Sequence, residues 1–232
     1  MKHVIGLSGG MDSATLLGYL LAQRDTEQVF CCIFYYGSKH NKYENRAAQN
    51  IVEYYQNIYT TDVVVSQLID LSSAFGNITS SLMISGGAIP EGHYKAENMK
   101  ATVVPGRNLI MGSIMAGIAE SIGAEQISLG VHAGDHHIYP DCRATFINSF
   151  NRTVQESSDG SVFVKAPFLN MTKTGIIHCG INLPQSVPYH LTRTCYKDQE
   201  LSCGKCGSCG ERLGAFKEMG LIDPIKYEDG VR

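Results

Sequence analysis

Short apolar runs of strand length alternate along this chain with stretches whose apolar residues recur every three or four positions. "KHVIGL" (2–7) reads as a short buried strand. A turn at Ser8 to Gly10 follows, and residues 11–24 carry Leu16, Leu17, Leu20 and Leu21 at helical spacing. "QVFCCIFYY" (28–36) is continuously apolar, with enough β-branched and aromatic character for a central strand. Residues 41–57 read as a helix and "DVVVS" (62–66) as a third strand. Strand, helix, strand, helix, strand predicts an α/β fold: a parallel, Rossmann-like sheet with helices on both faces.

Residues 72–106 break this rhythm. They hold Gly76, Gly86, Gly87, Pro90, Gly92, Pro105 and Gly106 with little periodicity, which suggests a functional lid, a subunit contact or partial disorder. A helix is expected from Asn108 to Ile122, with Ile110, Ile114, Ile118 and Ile122 every fourth residue, and then a strand at "QISLGV" (126–131). "HAGDHHIYPDCR" (132–143) sits at the C-terminal end of that strand, where open α/β sheets place ligands. A helix near 144–156, a strand near 162–166 and a short helix from Thr172 complete the sheet domain, taken as 1–184. A smaller module, 185–232, follows.

Composition narrows the function classes. Of 232 residues 44% are hydrophobic and 18% charged, the balance of an ordinary globular protein. A net charge of −3 argues against a general grip on nucleic acid. No apolar run reaches the ~20 residues that span a bilayer, and the start of the chain is too short in apolar length for a signal peptide. The expectation is a cytoplasmic protein without a membrane or nucleic-acid partner. Its oligomeric state is open, a homodimer being one option.

Two motifs carry chemistry. "LSGGMDSATLL" (7–17) joins the first strand to the first helix and resembles a phosphate-binding loop, yet it lacks the lysine such loops usually carry. Its glycines let backbone N–H groups face an anion, and the helix N-terminus adds a positive end. Asp12 beside a phosphate calls for a cation between them, and magnesium supplies one. The second motif is "CYKDQELSCGKCGSC", a C-x7-C-x2-C-x2-C run. The thiolates of Cys195, Cys203, Cys206 and Cys209 can close a tetrahedral site with no open position, which suits a structural zinc; an iron–sulfur cluster is the second choice.

The glycine loop resembles that of the PP-loop ATP pyrophosphatases, which activate a carbonyl or carboxylate as an adenylate and release pyrophosphate. Together "LSGGMDS", "FYYGSKHNKYE", "VVPGRN", "YPDCR" and the cysteine tail resemble the QueC family over nearly the whole chain, Lys2 to about Leu213. The resemblance implies an adenine nucleotide alpha hydrolase-like fold with a small C-terminal four-Cys zinc module. It also implies an ATP-dependent, AMP-forming ligase that converts 7-carboxy-7-deazaguanine and ammonia, by way of the amide, into the nitrile, with one structural zinc per chain. ATP is then expected at Leu7, Ser8, Gly9, Gly10, Met11, Asp12, Ser13, Ala14, Thr15, Leu16 and Leu17. Lys173 in "NMTKTGI" resembles the lysine that such enzymes send back to the phosphates.

Candidate substrate residues follow from chemistry and position. A guanine-like ring offers donors that suit Asp135 or Asp141, and Tyr139 could stack on it. Arg107, beside Asn108 at a helix start where a cation is electrostatically unfavourable, could neutralise the substrate carboxylate or the phosphates; Arg143 is a weaker version. His40 and Glu44, four apart on one helical face, either shape the pocket or form a surface pair. Between Gly130 and Tyr139, where many QueC members carry a Glu-Thr-Asp run, this chain has "VHAGDHHI". That departure leaves open a relative that stops at the amide or joins the acid to another amine.

Overall fold

In a computed structural model that describes residues 1–92 and 97–228, five parallel strands form one sheet in the order β3-β2-β1-β4-β5. β1 (Lys2–Gly6) and β2 (Gln28–Tyr35) lie at its centre, with β3 (Val64–Asp70) and β5 (Phe163–Lys165) at the edges and β4 (Gln126–Ser128) between β1 and β5. Successive side chains of a strand point to opposite faces. Val4 accordingly enters one apolar cluster and Ile5 the other. With both faces covered, the central strands carry apolar residues at almost every position.

On one face pack α1 (Met11–Leu21), α2 (Asn41–Gln56), α6 (Lys173–Ile181) and α7 (Gly207–Glu218). α3 (Ser72–Phe75), α4 (Arg107–Ile122) and α5 (Ala144–Ser157) cover the other. Leu16, Leu17 and Leu20 of α1 are fully buried, each worth roughly 1.5–3 kcal/mol of apolar burial. No helix among the described residues is long and apolar enough to cross a membrane.

Several boundaries differ from the sequence reading, each for a reason of pairing. The third strand runs Val64–Asp70 rather than 62–66, because it pairs residue for residue with Val29–Tyr35 of β2. It is an edge strand, so its second half, "SQLID", is largely exposed and carries no apolar run. The fourth strand stops at Ser128 instead of 131: Leu129 N–H makes the last bond, to the Lys165 carbonyl, and the chain then leaves the sheet. The first helix ends at Leu21, ahead of the expected residue 24, and the fourth begins at Arg107. The segment 72–106 is no simple flap: Phe75, Leu82, Met83, Met99 and Val104 lie in the apolar cluster, and Lys39 Nζ holds the Ser81, Gly86 and Gly87 carbonyls. The part of that segment at 93–96 lies outside the described residues. α7 was not foreseen, although Arg212, Ala215, Phe216 and Met219 have helical spacing and pack inward.

The chain winds from β1 outward through β2 to β3, then returns to the other side of β1 for β4. The C-terminal ends of β1 and β4 therefore flank a topological switch point, which opens a crevice.

Candidate active site

A cavity of about 240 Å³ occupies that crevice, lined by Gly6 and Leu7 from the end of β1 and by Ser128, Leu129 and Gly130 from the end of β4. The glycine loop forms its floor. Gly9 has φ +77, and a Cβ there would stand 2.6 Å from the Glu44 carbonyl oxygen and 2.8 Å from Ala48 N. Only glycine lets the backbone of α2 rest on the loop. Ser8 and Ser13 meet at 3.2 Å between hydroxyls, and Gly10 N–H donates to Ser8 Oγ. Gly10, the N-cap of α1, offers no side chain to the first-turn N–H groups, so these remain available to an anion in the cavity.

Asp12 projects from the first turn of α1 into a tight charged cluster. Lys173 Nζ donates to Asp12 Oδ2 at 2.6 Å and lies 3.3 Å from Glu211. His132 Nε2 stands 3.9 Å from Asp12, 3.5 Å from Asp135 and 3.9 Å from Glu211. Gly134 N–H donates to His132 Nδ1, which fixes the ring proton on Nε2, toward the carboxylates. Burial pushes the Asp12 pKa up, but Lys173, His132 and Arg212 overcome it and hold the carboxyl below its ordinary value. Burial pulls Lys173 down, and Asp12, Glu211 and Asp135 more than reverse that, so the ammonium is held well above the usual lysine range. Asp12 Oδ1 is buried with no hydrogen-bond partner among the described residues.

The opposite wall is built around Arg107. Burial opposes its charge, yet the hydroxyls of Tyr36, Tyr139 and Tyr196 and the Cys142 thiol favour it, and the guanidinium stays charged. No carboxylate among the described residues forms a salt bridge with Arg107. Tyr139 OH meets Thr102 Oγ1 at 2.9 Å and Tyr196 OH at 3.4 Å. Burial pushes the Cys142 thiol far above its ordinary value; the Asn108 Nδ2 donation to its sulfur at 3.3 Å lowers it but does not overcome burial, which disfavours a thiolate nucleophile.

Most of the residues singled out in the sequence meet here. Leu7, Ser8, Gly10, Met11, Asp12, Ser13, His40, Glu44, Arg107, Asn108, Asp135, Tyr139 and Lys173 all line the cavity. Others do not reach it. Ala14, Leu16 and Leu17 turn into the apolar cluster beneath α1, and Thr15 Oγ1 meets Tyr189 OH at 2.8 Å inside the core. Asp141 lies off the cavity, its Oδ2 accepting the Asn108 N–H at 2.9 Å to cap α4. Arg143 is exposed and donates to the His136 carbonyl. Of "VHAGDHHI", only Val131 and Asp135 line the cavity; His132, His136 and His137 do not.

Sequence reasoning missed Glu211, Tyr196, Ser208 and Arg193, which all line the cavity. The signal was adjacency to the cysteines, since Tyr196 follows Cys195 and Ser208 and Glu211 bracket Cys209. The four Sγ atoms of Cys195, Cys203, Cys206 and Cys209 are buried and all lie within 4.8 Å of one another, a cluster able to hold a metal ion. Backbone N–H groups of Cys203, Lys205 and Cys206 point at the sulfurs, at 3.3–3.4 Å. The same tail reaches the glycine loop, where Arg193 N–H donates to the Gly9 carbonyl at 2.7 Å.

A parallel sheet with a lysine-free glycine loop at its switch point, and a distant lysine returned to that loop's aspartate, defines an ATP-using enzyme of the PP-loop type. The family model described as queuosine biosynthesis protein QueC matches residues 2–220. The chain is 43% identical to "7-cyano-7-deazaguanine synthase 1" of Colwellia psychrerythraea over 98% of this chain and 99% of that one. It is 44% identical to the 7-cyano-7-deazaguanine synthase of Desulfotalea psychrophila, over 98% of this chain and 99% of that one. A solved structure of NMN synthetase from Francisella tularensis is similar at TM-score 0.44 and 16% identity, covering 95% of this chain and 72% of that one. The chain belongs to the QueC family.

Proposed function

We propose that this enzyme adenylates 7-carboxy-7-deazaguanine with ATP, releases pyrophosphate, and converts the acid with ammonia, through the amide, to 7-cyano-7-deazaguanine. The observation that carries the reading is the Lys173–Asp12 pair on the glycine loop, 2.6 Å apart. It stands in a chain 43% identical, over 98% of its length, to a relative bearing that product's name. Breaking a carboxylate C–O bond needs a better leaving group than hydroxide, and an adenylate supplies one. The loop N–H groups and the α1 N-terminus hold the outer phosphates, and Lys173 faces the charge that builds on the departing pyrophosphate. Arg107, with no carboxylate among the described residues in salt-bridge contact, takes the carboxylate of the acid. Asp135 serves as acceptor for the ring's donors, and Tyr139 bounds the ring.

Magnesium fits Asp12, whose buried Oδ1 has no partner among the described residues. When bound it would offset the repulsion between carboxylate and phosphates. Zinc fits the cysteines: a tetrahedral Zn–S₄ site has sulfurs about 3.8 Å apart, and the Cys203–Cys209 separation is 4.0 Å. Cys195, Cys203, Cys206 and Cys209 would hold one ion per chain, closed to substrate.

The reading with the reaction ending at the amide shares every one of these residues. Incubation with 7-carboxy-7-deazaguanine, magnesium-ATP and ammonium, followed by mass spectrometry, tests both. Nitrile and AMP are expected. Amide that accumulates without nitrile would select the shorter reaction, and an acid left unconsumed with no AMP would remove both.

A further inference from the structure

Lys173 occupies an unfavourable place for a cation. It is the first residue of α6, where the helix dipole repels positive charge, and its side chain is 8% exposed. Its four-carbon stem is flexible, so one contact does not hold the ammonium in one position. In the proposed reaction that ammonium has to wait at the glycine loop for the charge on the departing pyrophosphate. Asp12 supplies one contact, at 2.6 Å. Asp12 also belongs to the first turn of α1, whose N–H groups would hold the phosphates, so an arriving phosphate competes with it for the same ammonium.

Glu211 supplies a second contact, from α7. Its Oε2 lies 3.3 Å from Lys173 Nζ. An ammonium has three N–H bonds; Asp12 and Glu211 take two and leave one for a phosphate oxygen. The Glu211 carboxylate is itself seated by shape. Its Oε1 rests against the turn at 132–135, 3.9 Å from His132 Nε2. A Cβ on Gly134 would stand 2.6 Å from that Oε1 and 2.7 Å from His132 Cε1, so the carboxylate has room there only because position 134 is glycine. The same turn is fastened to the entry of α6, where Ala133 N–H donates to the Met171 carbonyl at 3.0 Å. Three helices, α1, α6 and α7, thus meet at one ammonium.

We infer that Glu211, seated in the space left by Gly134, is the positioning residue that holds Lys173 at the glycine loop for adenylation. This rests on the proposed function above, which gives Lys173 the departing pyrophosphate. Glu211 acts through the ammonium alone. Its own negative charge repels phosphate, so it fixes the aim of Lys173 at some cost to ATP binding. Losing it should therefore lower kcat without raising the KM for ATP.

The test measures kcat and the KM for ATP in the exchange of labelled pyrophosphate into ATP that depends on 7-carboxy-7-deazaguanine, run for hours so that slow variants are read. Glu211→Gln should lower kcat by about 10-fold or more, with the KM for ATP unchanged or lower. Glu211→Asp keeps the charge but draws the carboxylate back by one carbon, and should show a comparable loss. Gly134→Ala changes no charge and lies outside the cysteine segment. Its methyl meets side-chain ends and not backbone, so the fold should hold while the displaced carboxylate gives the same loss. Lys173→Met has no ammonium to aim, and adding Glu211→Gln to it should change the rate by less than roughly twofold. Full kcat in any of the three single variants at 211 and 134 would overturn the assignment. So would a Glu211→Gln loss of the same factor with and without Lys173, which marks a role independent of the ammonium. A wild-type enzyme without acid-dependent exchange would overturn the proposed function instead.

Discussion

In the proposed reaction Asp12 is the residue on which the phosphate chemistry turns. Replacing it with Asn removes the anion that faces Lys173 and would hold magnesium, so Asp12→Asn should form no AMP while keeping its far-UV circular dichroism. Its charge also contributes to stability, with a definite sign. Burial raises its pKa and the cations around it lower it further, for a net value below the unfolded one. Its contribution is then complete above the unfolded carboxylate pKa and is lost as pH falls from about 4 through the folded value. Urea unfolding should find wild type more stable than Asp12→Asn at pH 7, with the gap closing below about pH 4. An unchanged gap in acid would mean that the pair with Lys173 is not what stabilises the carboxylate.

At the scale of elements, α7 shows how a helix absent from the sequence reading is fixed in place. Arg212 is fully buried, and a fully buried arginine needs all its donors satisfied. Its guanidinium bonds Asp223 through Nε and Nη2 at 2.7 and 2.8 Å, and reaches Thr192, Thr194 and the Tyr189 carbonyl. Tyr227 OH donates to the same Asp223. Removing the carboxylate leaves a buried charge unmatched, so Asp223→Ala should cost about 3–5 kcal/mol in denaturant unfolding. A cost below about 1 kcal/mol would indicate that water reaches the guanidinium. Elements with a strong apolar period were legible from sequence: β1, α1, β2, α2 and α5 fall within a few residues of their expected places. β3 and β4 were misjudged because their lengths are set by partners across the sheet, information that a local window does not hold.

For the molecule as a whole, the cysteine-rich segment is joined to the crevice at the switch point. It carries Tyr196, Ser208 and Glu211 into the cavity, and Arg193 just before it bonds the glycine loop. Cys206→Ser should therefore lower bound zinc from one per chain to well below it, by elemental analysis, lower the melting temperature, and reduce pyrophosphate exchange at the same time. Full exchange in a zinc-depleted enzyme would show that the module merely adjoins the site. The loop and the four cysteines were legible because each is a dense local pattern, whereas Lys173 came from the resemblance of "NMTKTGI" alone. Glu211 and Tyr196 were not, since nothing in their own composition separates them from surface residues; only the fold of the cysteine turns points them inward.

The pair between Asp12 and Lys173 joins positions 161 residues apart. A chain emerging from the ribosome makes its glycine loop first and its counter-charge only after three-quarters of the polypeptide exists. Until α6 docks, the loop has a carboxylate and no cation of its own to receive a triphosphate. On the proposed reading, truncated or half-made chains would have no competent nucleotide site, and the ability to consume ATP would arrive only with the nearly completed fold.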